Sequence, residues 1–110
     1  MKIDEVKLDA VLLTLGHDDF NRGTAYIRTG VKLYEPELPM TKELYPAVAR
    51  QHGSTGSRVE RAMRHAIEKA WSRGSIDEQR RVFGWSVDPE KGRPSVGEYI
   101  ARLARECREN

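Results

Sequence analysis

Between Ser57 and Gly74 the apolar residues Val59, Ala62, Met63, Ala66, Ile67, Ala70 and Trp71 recur at i, i+3, i+4, i+7, i+8, i+11 and i+12. That period belongs to an α-helix with one buried face and to no strand. At about 100° per residue the opposite face centres on Arg61, Arg64 and Glu68, flanked by Glu60 on one side and by Arg58 and His65 on the other. A chain of 110 residues has room for one hydrophobic core, so the remaining segments must supply the wall against which this stripe packs. The open question is whether the charged face is merely solvated or reads a ligand.

Helical period dominates elsewhere too, which predicts an all-α domain of about six helices spanning residues 1–110. Ile3, Val6, Ala10 and Leu13, joined by Val11, Leu12 and Leu15, mark a first helix that Gly16 can close in a left-handed cap. Asp18 or Asp19 can cap a second, with Phe20, Gly23, Ile27, Val31 and Tyr34 on one face. After the loop Glu35–Met40, a third opens near Thr41 with Leu44, Ala47 and Val48 inward. Pro46 has no amide hydrogen, so either the regular helix starts near Tyr45 or the turn before it is kinked. His52 and Gly53 end it, and Ser54 or Thr55 can cap the helix that follows. Further on, Ser75–Glu78 and Ser95–Glu98 each fit a capping box, one opening a short helix with Val82 and Phe83, the other a final helix with Ile100, Leu103 and Ala104. Trp85 and Val87 are the residues available to order the loop between them. These stripes leave no apolar face unassigned, so a monomer is expected.

Charge divides unevenly along the chain. Residues 1–49 carry six Lys/Arg against eight Asp/Glu, residues 50–73 six against two, and residues 74–110 seven against seven. A local excess inside a balanced chain is the footprint of a nucleic-acid contact. The composition is globular, and an acidic start with no long apolar run argues against a signal peptide or membrane span and for the cytoplasm. One cysteine, Cys107, permits no internal disulfide. His65 with Glu68, and His17 with Asp18 and Asp19, are the only clusters suited to a metal or to acid–base chemistry. A metal site needs three or four convergent ligands, and nothing in the sequence ties the two clusters together, so no enzyme, metal or cofactor is expected. The tyrosines and tryptophans fall at core-compatible spacings.

Helix, short Gly-containing turn and basic helix, over about residues 41–73, is the order of a helix-turn-helix. The segment SRVERAMRHAIEKAWSRGSID (57–77), with TKELYP (41–46) before it and the FGWSV and RPS elements after it, resembles the DNA-binding effector domain of the stage-zero sporulation regulator A family. Weaker similarity runs back through Gly23 and the first two helices. The resemblance implies a six-helix domain that binds double-stranded DNA, placing its recognition helix in the major groove of TGTCGAA-like boxes, often as tandem copies. The family's base-reading positions fall on Arg58, Glu60 and Arg61, with Arg64 and His65 following on the same helix. Arginine donates twice to guanine and glutamate accepts from the cytosine amino group, which suits a box containing CG. Thr41, Lys42, Ser54, Thr55, Ser57, Lys69 and Arg73 are the candidate phosphate contacts.

Two departures from the family pattern matter. Members usually carry a phosphorylatable receiver before this module, whereas this sequence starts at Met1 directly ahead of the effector-like region: it reads as either an excised domain or a stand-alone relative, and a stand-alone form is expected to bind constitutively or under the control of another protein. The segment linked in the family to the RNA polymerase sigma factor reads Glu78-Gln79-Arg80-Arg81 where small or apolar residues are usual, although Phe83 and Val87 fit that contact. The rival reading is a protein-interaction module that antagonises a full-length sporulation regulator. Its surface would be the final helix, with Arg102, Arg105 and Arg108 outward and Cys107 inward or toward the partner.

Overall fold

The computed structural model describes residues 2–84 and 92–109. Among the described residues six α-helices follow one another: α1 (Glu5–Thr14), α2 (Arg22–Leu33), α3 (Tyr45–His52), α4 (Gly56–Arg73), α5 (Ile76–Phe83) and α6 (Val96–Glu106). No strand is present among the described residues. One isolated antiparallel bridge, Ile3 to Arg108, brings the two ends together, with the Asp4 amide donating to the Cys107 carbonyl at 2.7 Å.

Local chemistry accounts for most helix boundaries. Thr55, Ser75 and Ser95 each accept a hydrogen bond from the amide three residues on, capping α4, α5 and α6. Ser95 also donates to the Glu98 carboxylate at 2.9 Å, which closes the expected box side chain to side chain. Both alternatives for Pro46 hold together: α3 begins at Tyr45, and residues Met40–Leu44 before it form a widened π-helical turn. The proline ring would crowd the carbonyl four residues back in a regular helix, and a wider turn relieves that contact. Gly53, at φ 63°, closes α3 in the left-handed conformation that only glycine adopts without strain.

The wall around α4 is built by α2, α3 and α6. Val59, Met63, Ala66, Ile67 and Ala70 are buried as the stripe requires, while Ala62 and Trp71 are partly buried at its margins. Ala47 likewise sits at the edge of α3, whose buried residues are Tyr45, Val48 and Ala49. At Gly23 the backbones of α2 and α4 nearly touch, and a Cβ there would stand 2.1 Å from the Ala62 carbonyl oxygen.

The first two helices differ from the sequence expectation. Leu8, Val11, Leu12 and Leu15 face the core of α1, whereas Ala10 is exposed, Val6 is 82% exposed and Leu13 68%. Apolar residues lie on more than one face of this helix, so the sequence pattern does not single out the buried one. Asn21, not Asp18 or Asp19, caps α2, accepting from the Gly23 amide at 2.8 Å. Asp18 instead accepts from the Phe20 amide, and Phe20, outside the helix, is 98% exposed. An apolar surface on α1 therefore remains open. Arg102 also departs from its water-facing assignment: it is half-buried and donates to the Phe83 carbonyl at 3.2 Å.

A polar knot sits inside this core. His17 is buried between the Thr24 hydroxyl at 3.0 Å and the Tyr99 hydroxyl at 2.7 Å, while Tyr99 stacks on Phe83. Burial, and secondly the charge of Arg73, hold the His17 pKa down at about 4 against an ordinary 6.5. The folded value lies below the unfolded one, so the neutral ring's contribution is complete above pH 6.5 and is lost as pH falls toward 4. Chemical denaturation between pH 7 and pH 4 should show this group removing on the order of 3 kcal/mol, and His17→Gln should flatten that part of the profile at lower overall stability. Met63→Ala should cost about 2–5 kcal/mol in the same assay, and an unchanged midpoint would contradict the burial of this face.

Candidate nucleic-acid interface

The buried stripe fixes the rotation of α4, and with it the side chains that reach the surface. Arg58, Glu60, Arg61 and Arg64 line one cleft together with Thr41, Tyr45, Gly56 and Ser57. The π-helical turn and α3 thus form one bank, and the first two turns of α4 the other. Its position beside the Thr55 cap follows from the short polar turn between α3 and α4.

Within the cleft the charges are partly matched. Arg64 donates to Glu60 at 3.1 Å, whereas Arg58 and Arg61 make no ion pair among the described residues. His65 and Lys69 are exposed further along α4, also without an acidic partner there. Glu68 is engaged by Arg93, whose guanidinium donates to it at 2.6 Å from outside the basic segment. Both carboxylates of the 50–73 segment are thereby paired, and Arg58 and Arg61 are left as unengaged donors.

Other expected contacts are more scattered. Lys42 is exposed on the π-helical turn. Ser54 lines a neighbouring cleft with Arg22, Tyr26, His52, Gly53, Arg58 and Ala62. The Thr55 oxygen is engaged as the cap of α4, accepting from the Arg58 amide at 3.3 Å. Arg73 lies about 22 Å along the helix from Arg58 and donates to the Gly16 carbonyl at 3.3 Å, so it is not gathered with the others.

Two residues at this surface were not legible as site residues. Tyr45, assigned to packing, is buried yet borders the cleft; burial, and secondly the Glu60 carboxylate, push its phenol above the ordinary range and keep it neutral. Arg93 belongs to the RPS element, and that element was the available signal. Of the residues considered for sigma contact, Phe83 is fully buried against Trp71 and Tyr99 and presents no side-chain surface, and Val87 lies outside the described residues. Gln79 is buried, donating to the Trp71 carbonyl, and Arg81 joins Glu78 to Glu106, so Gln79 fastens α5 to α4 and Arg81 fastens it to α6.

No three His, Cys, Asp or Glu side chains converge as a metal site among the described residues. His17 and Glu68, members of the two clusters considered for such chemistry, are engaged with Thr24 and Tyr99 and with Arg93. Burial pushes the Cys107 thiol up to about 11, which disfavours a reactive thiolate. No helix among the described residues is long and apolar enough to cross a membrane.

The described residues form an all-α fold of six α-helices in which α3 turns at Gly53 into a long α4 with a basic exposed face. The family model described as sporulation initiation factor Spo0A C terminal matches residues 8–107. The chain belongs to that family, a DNA-binding regulatory domain of sporulation and not a family of enzymes.

The cap that orients the first turn of α4 should be measurable. Thr55→Ala should lower stability by about 0.5–2 kcal/mol in chemical denaturation, whereas Thr55→Ser should retain most of it.

Proposed function

We propose that this domain regulates transcription by reading double-stranded DNA in a sequence-specific way, with α4 in the major groove of TGTCGAA-like boxes. The observation that carries the reading is the gathering of Arg58, Glu60, Arg61 and Arg64 in one cleft at the helix-turn-helix, with Arg58 and Arg61 unengaged. Arg58, Glu60 and Arg61 are assigned to bases, with Arg64 and His65 extending the same face. Thr41, Lys42, Ser54, Thr55 and Ser57 are assigned to phosphates near the start of α4, and Lys69 and Arg73 to more distant ones. Tandem boxes would seat two copies side by side. An aligned arginine pair on guanine and a carboxylate on cytosine discriminate bases in a way that diffuse positive charge does not.

An antagonist acting through protein contact draws on one observation, the exposed Val6 and Leu13 of α1 with Phe20 beyond them. Such a module would bind no boxed duplex alone and would alter binding only when a full regulator is present. Sigma-factor contact would have to use surface other than the Phe83 side chain.

Arg58→Ala and Arg61→Ala should each relax discrimination at one base position by about 1–3 kcal/mol in duplex titrations. Glu60→Gln separates base reading from simple charge. On a helix held by charge alone, losing the carboxylate tightens binding to every duplex equally; on a reading helix it costs the preference for the CG step. Equal gains on the box, on a box with that step changed and on random DNA would withdraw the sequence-reading assignment.

A further inference from the structure

The cleft of Arg58 and Arg61 continues along α4. A second cleft shares Tyr45, Glu60 and Arg64 with it and is closed on the far side by residues 93–98, leading into α6. Arg93 stands on that far bank. Its guanidinium donates to Glu68 at 2.6 Å, and both side chains are substantially exposed, so the pair lies at the surface, beside the groove that Arg93 lines, and not in the core. Pro94 disfavours helical backbone at Arg93, and Ser95 anchors the start of α6 directly after it. The backbone that carries the arginine is therefore constrained by its neighbours in sequence, while its guanidinium is placed by Glu68.

We infer that Glu68 and Arg93 form a latch on the DNA-binding groove. In the free domain the Glu68 carboxylate occupies the place of a phosphate and holds the guanidinium against α4. When a duplex is seated, Arg93 passes to a backbone phosphate, and Glu68 is released to water. The inference rests on the DNA-reading assignment and adds a contact from outside the helix-turn-helix. Two physical facts favour the exchange. An exposed ion pair contributes little, so breaking it costs little, whereas a phosphate contact releases a condensed counterion. Contacts of this kind fix orientation without reading sequence, so a cation beyond the far side of α4 would set the rotation of the helix in the major groove.

If the pair were only a structural clasp, removing either partner would loosen the loop and weaken binding. A latch gives opposite signs. Titrations of the whole domain with a TGTCGAA duplex and a random duplex, across a salt series, distinguish these. Arg93→Ala should weaken both duplexes by the same several-fold factor and reduce the logarithmic salt slope by about 0.9, the loss of one phosphate contact. Arg93→Lys should keep the slope. Glu68→Gln should tighten both duplexes several-fold with the box preference unchanged. Arg93→Ala with unaltered affinity and slope, or Glu68→Gln that weakens binding, would overturn the latch while leaving the reading helix intact. A parent domain that binds neither duplex would overturn the DNA-reading assignment and the latch with it.

Discussion

The close crossing of α2 over α4 is the constraint on which the rest of the structure depends. With Gly23 set against the Ala62 carbonyl there is no space for a side chain between the two backbones, and any Cβ would force the helices apart. A shift of α4 by the width of a methyl group would disturb the burial of Val59, Met63 and Ile67 together, because packed interiors transmit such displacements. It would also move the exposed face, since the two faces belong to one rigid helix. The contact that stabilises the core is thus also the contact that aims Arg58 and Arg61. A second crossing repeats the device at the far end of α4, where a Cβ on Gly74 would stand 2.1 Å from the Leu15 carbonyl oxygen.

Surface charge plays a different part from core packing. Arg28 bridges Asp9 and Glu5, fastening α2 to α1, and Arg81 bridges Glu78 and Glu106, fastening α5 to α6. Exposed pairs contribute up to about 1 kcal/mol each, so they adjust the packing of helices that the core already holds. On the groove the same weakness is useful. Glu60 with Arg64 and Glu68 with Arg93 compensate one another, and as exposed pairs they hold their arginines only weakly. Carboxylates there also lower the local positive potential and with it the attraction for arbitrary polyanions.

The buried His17 shows the cost of a polar group in this core and how it is met. Both ring nitrogens have hydroxyl partners, so the neutral ring leaves no polar atom unsatisfied, while protonation would place a charge in apolar surroundings near Arg73. The network ties the α1–α2 turn to α2 and α6, elements that the apolar contacts alone would join without directional preference.

What the sequence by itself determined are the features written within one or two turns of chain. The stripe on α4, the caps Thr55, Ser75 and Ser95, the turn at Gly53 and the disturbance before Pro46 all depend on neighbours three to five residues away, and all were legible. So was the composition of the candidate reading face, because a fully apolar stripe leaves only one surface for Arg58, Glu60, Arg61 and Arg64. Tertiary structure decided whatever depends on where helices cross. It chose the inward face of α1, where Val6 and Leu13 are as apolar as Leu8 and Leu12 and periodicity has no preference. It placed Asn21, and neither of the expected caps Asp18 and Asp19, at the start of α2, brought His17 to Tyr99 and Glu68 to Arg93, and turned Phe83 inward. Those partners lie far apart along the chain, and no local pattern records a meeting that only the packed core produces.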